Sequence, residues 1–203
     1  MQTTRYLRGE RQMPLHILTL FVFLGVFSFF FLDIALAFRS FFEKRHTWFF
    51  SFASNMSQIL LAISILAFCF YPSQPRINLP RTVELALGAL LFVAGMAVET
   101  KGSLDLGVRR SIGGVCGEQL VVRGIYRVVR HPQNLGGMIW ITGVALLADS
   151  LYLLIVSLLL WIPLFIIESY LEDRDLRRKF GEDFEKYARD VPMFIPRLWR
   201  KRA

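Results

Sequence analysis

Long apolar runs constrain this 203-residue chain more than any other feature: Leu15 to Ala37, Trp48 to Tyr71, Val83 to Val98 and Leu135 to Ile167. A helix rising 1.5 Å per residue needs about 20 apolar residues to cross roughly 30 Å of hydrocarbon. With 54% hydrophobic residues and 19 Phe, the chain has more apolar surface than a water-soluble domain of this length could hide. The expected fold is all-α, a polytopic membrane bundle of about five helices. Arg5, Arg8 and Arg11 precede the first run, and Ala35-Leu36-Ala37 mimics a cleavage site. The run is longer than the roughly 7–15 residues of a signal peptide's apolar region, so it reads as a membrane helix.

Pro72, Pro75 and Pro80 mark an extended loop after the second span, because proline cannot continue a helix. The third span is expected to end near Lys101-Gly102. Residues 101–134 mix glycine with Arg109, Arg110, Arg123, Arg127 and Arg130, which predicts a polar connector folded over one end of the bundle. The run 135–167 is broken only at Asp149-Ser150. It predicts a tight hairpin with two arms of about 16 residues, each near 24 Å and short for a crossing. Ser150 is placed to cap the second arm, and Gly136, Gly137 and Gly143 would let helices approach closely. From Glu168 a charged helix is expected to run to about Asp190. Leu171, Leu176, Phe180, Phe184 and Tyr187 form its apolar side, which would lie on lipid headgroups after Phe180.

With five spans, the first loop, the connector and the tail share one side of the membrane and hold 19 of the 24 Lys and Arg. The positive-inside rule puts that side in the cytoplasm, with the N-terminus outside and the C-terminus inside. The net charge of +8 is accounted for by anionic membrane lipids; there is no nucleic-acid motif. Cys69 and Cys116 form no disulfide framework, Cys69 reading as core and Cys116 as a passive loop residue. His16, His46 and His131 are too scattered for a metal site. Asp33, in the first span, is expected to pair with a nearby arginine, and Glu84 and Glu99 to sit at the membrane interface.

Arg130-His131-Pro132-Gln133-Asn134-Leu135-Gly136, followed by Glu172-Asp173, resembles the signature of the isoprenylcysteine carboxyl methyltransferase and phospholipid methyltransferase superfamily. That signature reads Arg-His-Pro-x-Tyr-x-Gly with a later acidic pair. Leu120-Val121 before Gly124-Ile125-Tyr126 resembles the family lead-in, and Leu176, Phe180-Gly181 and Phe184-Glu185-Lys186-Tyr187 resemble its ending. The likeness covers about 103 to 196 and divides the chain into a three-helix anchoring part, 1–100, and a catalytic part, 101–203, within one bundle. It implies S-adenosylmethionine as methyl donor and a lipophilic methyl acceptor. By the same resemblance Glu172 takes the cofactor's ammonium, and His131 with the backbone near Pro132 and Gln133 takes its carboxylate. Tyr126 and the stretch Glu118, Gln119, Leu120 and Val121 frame the adenosine. Arg130, Asn134 and Glu168 are the catalytic candidates, with Asn134 also among the cofactor-binding residues.

Two positions depart from the pattern. Asn134 stands where the motif has tyrosine. Glu168 stands where the prenylcysteine carboxyl methyltransferases have an arginine implicated in binding the substrate carboxylate. A carboxylate one turn before Glu172 would share its helix face and repel a carboxylate acceptor. That favours a lipid amine, then a small apolar amine or thiol, then a prenylated carboxylate, or else makes Glu168 a general base. A different reading of the acids is that Glu172 and Asp173 only form ion pairs with Arg130, Arg127 or Arg174. The motif also fits sterol reductases that use a nicotinamide cofactor, although those chains are much longer and Gly137 replaces their final acid. A non-catalytic lipid-binding protein is the third reading. The glycines Gly113, Gly114 and Gly117 do not form a dinucleotide-binding loop.

Overall fold

The computed structural model describes residues 59, 61–70, 74–107 and 120–196. Among them the regular structure is helical throughout, with no strand. Residues 61–69 form α1, followed by α2 (Arg81–Leu106), a 3-10 turn (Gly124–Arg127), α3 (Pro132–Leu147), α4 (Leu151–Phe180) and α5 (Glu182–Asp190). Two of these, α2 and α4, are long and apolar enough to cross a membrane, with mean hydropathy 1.7 and 2.4. The first predicted span, most of the second, Asp33, Cys116, Glu118 and Gln119 lie outside the described residues.

Helix α2 runs about one turn past its predicted end and takes in the first residues of the expected connector. Its polar last turns stay helical because Lys101 and Asp105 pair across one turn at 2.7 Å and Gly102 packs on Pro132 and Gln133. Gly88, Gly95 and Gly102, seven residues apart, line one face of α2 and meet α3 running antiparallel to it. A Cβ on Gly95 would stand 2.4 Å from Trp140 N, and one on Gly143 2.5 Å from Phe92 N, so the two backbones touch directly. The predicted role of Gly136 and Gly143 in close packing holds, while Gly137 faces the Phe165 ring instead.

The hairpin turn forms where expected, and the Ser150 hydroxyl accepts the Leu153 N–H at 3.1 Å. The second arm, however, does not stop at Ile167: α4 continues without a break to Phe180. Its buried residues Leu153, Ser157, Trp161, Phe165, Ser169 and Asp173 recur every four positions. A regular α-helix turns about 400° in four residues, so such a row drifts off its face. The turn Ser157–Trp161 is widened to π geometry, with Ile162 N bonded to Ser157 O. Pro163 has no N–H to continue the ordinary ladder. The widening underwinds α4 and takes up part of the drift, keeping the row against α3.

The tail also differs from expectation. Gly181, at φ +52°, ends α4 and starts a separate helix. The apolar side of α5 does not lie on lipid: Phe184, Tyr187 and Val191 are buried against Leu120, Leu176, Phe180 and Ala188. Satisfying that face within the chain buries it more completely than a headgroup layer would. Glu84 is buried in the first turn of α2, 3.0 Å from Arg81, and Glu99, two turns inside the helix end, accepts the Trp140 indole N–H. Both carboxylates are held by partners within the protein. Cys69 packs at the edge of the main core of Leu61, Ile65, Phe68, Ile141, Leu153 and Trp161.

The two ends of the bundle are distinct. At one, Ile77 N donates to Asp149 Oδ1 at 3.0 Å, Leu151 N to Pro75 O at 3.2 Å, and Ser150 meets Gln74, so the proline loop is tied to the hairpin turn. The 3-10 turn, the start of α3 and the tail gather at the other.

Candidate functional site

Pro132 opens α3 at a position where its missing N–H is no loss, which fixes His131 just outside the helix. The imidazole is held on both sides: Nδ1 lies 3.0 Å from Glu172 Oε2 and Nε2 2.7 Å from Asp173 Oδ1. Burial of the ring works against its charged form. Hydrogen bonds from the ring to Asp173 and Glu172, and the charges of those acids, outweigh burial and hold the pKa up at about 9. At neutral pH the ring is therefore an imidazolium donating to both acids.

Arg130, the preceding residue, binds the other edge of Asp173, with Nη2 2.7 Å from Oδ2. Its Nη1 donates to Ala188 O at 3.1 Å in the last turn of α5 and to Val191 O at 2.6 Å just past its end. A cation there also meets the negative end of the helix dipole. The main chain adds two bonds, Arg130 N to Pro192 O at 2.9 Å and His131 N to Met193 O at 3.2 Å. Phe194 then tilts over the His131 ring, with centroids 6.1 Å apart. The tail is thus strapped across the base of α3.

The two acids differ in exposure. The Asp173 side chain is 8% exposed and enclosed by Arg130 and His131, whereas that of Glu172 is 50% exposed and faces solvent as well as His131. The ion-pair alternative therefore describes Asp173, paired with Arg130. Asn134 donates to Ser169 Oγ at 2.9 Å, and Ser169 in turn bonds Phe165 O. Glu168, at 9% exposure, is another buried residue of α4, beside Ser169 in sequence. Gln133 reaches across to Ser103 on α2 at 3.2 Å.

Tyr126 sits in the 3-10 turn, half-buried, and its carbonyl accepts the Tyr187 hydroxyl at 2.7 Å. Burial, and next the Glu172 charge, raise the Tyr126 phenol pKa, so the group stays protonated. Leu120 packs against the α5 core, with Val121 next to it. The structure therefore brings together Tyr126, Arg130, His131, Pro132 and Glu172. Asn134 lies on the side of α3 that meets Ser169 of α4, and Glu168 is buried on α4. Asp105 was missed from sequence: its Oδ2 accepts the Ile125 N–H at 2.8 Å, and a lone Asp at a helix end offers no spacing signal that would single it out. Asp173 was noticed only as Glu172's neighbour. Among the described residues no group of His, Cys, Asp and Glu is arranged to hold a metal.

An Arg-His-Pro turn and two tail acids thus close one end of an apolar helical bundle. Residues 83–183, about half of the chain, match the phospholipid methyltransferase family. The protein-S-isoprenylcysteine O-methyltransferase of Schizosaccharomyces pombe is 40% identical over 78 residues, covering 38% of this chain and 33% of the relative. Methanethiol S-methyltransferase 2 of Bradyrhizobium diazoefficiens is 34% identical over 80 residues, 38% of this chain and 29% of the relative. The cobalt-zinc-cadmium resistance protein CzcN of Cupriavidus metallidurans is 33% identical over 114 residues, 56% of this chain and 50% of the relative. The chain thus spans between 29% and 50% of the length of these curated relatives.

Proposed function

We propose that this protein is an integral membrane methyltransferase that uses S-adenosylmethionine and methylates a lipophilic acceptor arriving from the bilayer. The observation that carries the reading is the convergence of Arg130, His131, Glu172 and Asp173 at the end of the bundle, within the segment that matches the family. The donor set suits the cofactor. Glu172 is a half-exposed carboxylate suited to an ammonium, and the N-terminus of α3 carries the partial positive charge that favours a carboxylate. Tyr126 and the Leu120-Val121 backbone frame the adenosine side.

The bound cofactor supplies an electrophilic methyl group on its sulfonium. The chain's own contribution is to orient the partners and keep water out, because such a displacement asks little of acid–base groups. Asn134, anchored by Ser169, fixes the first turn of α3. Glu168, buried one turn deeper than Glu172, favours a cationic or amine acceptor, or takes its proton. A carboxylate acceptor would meet a like charge there. A lipid amine heads the order of acceptors, followed by a small apolar amine or thiol. Five spans put the site on the cytoplasmic side, the N-terminus outside and the C-terminus inside. Residues 1–100 serve as the anchoring part and 101–203 as the catalytic part.

The test is calorimetric titration of the purified protein in nanodiscs with S-adenosylmethionine, beside Glu172→Ala. Saturable binding is expected, weakened about tenfold or more in the variant, the effect of losing one charge-assisted contact. A wild type that shows no heat of binding overturns the reading.

A further inference from the structure

Asp105 lies outside the Arg-His-Pro turn and the acidic pair, yet four contacts converge on it. Its Oδ2 accepts the Ile125 N–H at 2.8 Å and its Oδ1 the Lys101 ammonium at 2.7 Å. Its carbonyl takes Arg123 Nε at 2.8 Å. Gly124, at φ +54°, presses its backbone so close that a Cβ there would stand 2.0 Å from Asp105 Oδ2. Only glycine tolerates both that φ and that approach. Three consecutive residues, 123–125, are thus seated on the last turn of α2.

This seat matters because of what the two sides carry. Helix α2 is locked to α3 by direct backbone packing along the glycine line, down to Gly102 against Pro132, the neighbour of His131. The 3-10 turn carries Tyr126, whose carbonyl holds Tyr187, and it follows directly on Leu120-Val121. Through Asp105 the turn is therefore referenced to the same rigid pair of helices that fixes His131. The remaining ties of the turn run to its own chain neighbours and to the tail.

We propose that Asp105 is a positioning residue for the cofactor site, holding the 123–125 backbone on the end of α2 and so setting Tyr126 opposite Glu172. The inference rests on the methyltransferase reading above and extends it to a residue that touches neither cofactor nor acceptor.

The test measures S-adenosylmethionine affinity and melting temperature together, on the full chain in nanodiscs. Asp105→Ala is expected to weaken binding about tenfold, the effect of one charge-assisted hydrogen bond, with little change in melting. Asp105→Asn keeps an oxygen to accept the Ile125 N–H and loses only the exposed Lys101 pair, so it should recover most of the affinity. Gly124→Ala attacks the same seat from the other side and should match Asp105→Ala, which guards against one variant failing to fold. If wild type binds and both Asp105→Ala and Gly124→Ala bind equally well, the positioning role is overturned while the methyltransferase reading stands. A loss that tracks melting temperature and is not rescued by Asp105→Asn also overturns it, marking a purely structural residue. If wild type itself does not bind, both readings fall.

Discussion

His131 shows how one side chain takes its character from its neighbours. Alone it would titrate near 6.5, but between Glu172 and Asp173 its pKa is raised to about 9. A value raised on folding contributes stability that is fully present below about pH 6.5 and is lost as pH climbs through about 9. Wild-type melting should therefore fall between pH 7 and pH 10. His131→Gln, starting lower by a few kcal/mol of stability, should show a flatter profile once the titration common to both is subtracted. Parallel melting curves across that range would show that the proton on His131 is not coupled to folding. The His-Pro turn and the acidic pair were legible from residue order. Which acid is enclosed and which faces outward was not: Glu172 and Asp173 are adjacent in sequence, and only the rotation of α4 separates them.

At the scale of elements, the contact between α2 and α3 depends on having no side chain at the crossing points. Gly95→Ala would put a methyl 2.4 Å from Trp140 N, where the obstacle is backbone and cannot swing aside. A loss of about 1–3 kcal/mol is expected, read as a fall in melting temperature. Gly137→Ala, which meets the edge of the Phe165 ring at 3.0 Å, should cost less. Equal effects would mean that the glycine line is not what sets the helix separation. The Ser150 cap and the short first arm were foreseeable because caps and arm lengths are local. The length of α2 was not, because Glu99 reads as interfacial and Lys101 and Asp105 fall in the stretch that reads as a polar connector. They are helical because α3 and the 3-10 turn supply partners for them. The break at Gly181 is likewise decided by packing, since α5 turns back to bury Phe184 and Tyr187.

For the whole molecule, the asymmetry of the two ends gives a topological test. Arg76 and Lys179 are both exposed, the first beside the proline loop and the second in the last turn of α4. In a Cys69→Ser, Cys116→Ser background, single cysteines at these positions should react from opposite sides with a membrane-impermeant thiol reagent. Position 179 should label in inside-out vesicles and position 76 in right-side-out ones. Labelling of both from one side would rule out the five-span arrangement. The same proposed arrangement puts the strapped tail and the His131 cluster at the cationic end of the bundle, the end that the proposed cofactor would reach from water and the proposed acceptor from lipid.

The sequence by itself determined the helical class, the membrane-length apolar runs and the order of the family's motifs. These are sums over neighbouring residues or simple successions of them, and they do not depend on what packs where. The tertiary structure alone decided that Arg130 holds the end of α5 as well as Asp173. It also decided that His131 is shared between two acids, that α5 turns its apolar face inward, and that Asp105 seats the Tyr126 turn. Each of these joins residues about twenty to sixty positions apart. Their meeting is set by two geometric facts that no local pattern encodes: how closely α2 and α3 approach through their glycines, and how far the widened turn before Pro163 rotates the lower half of α4.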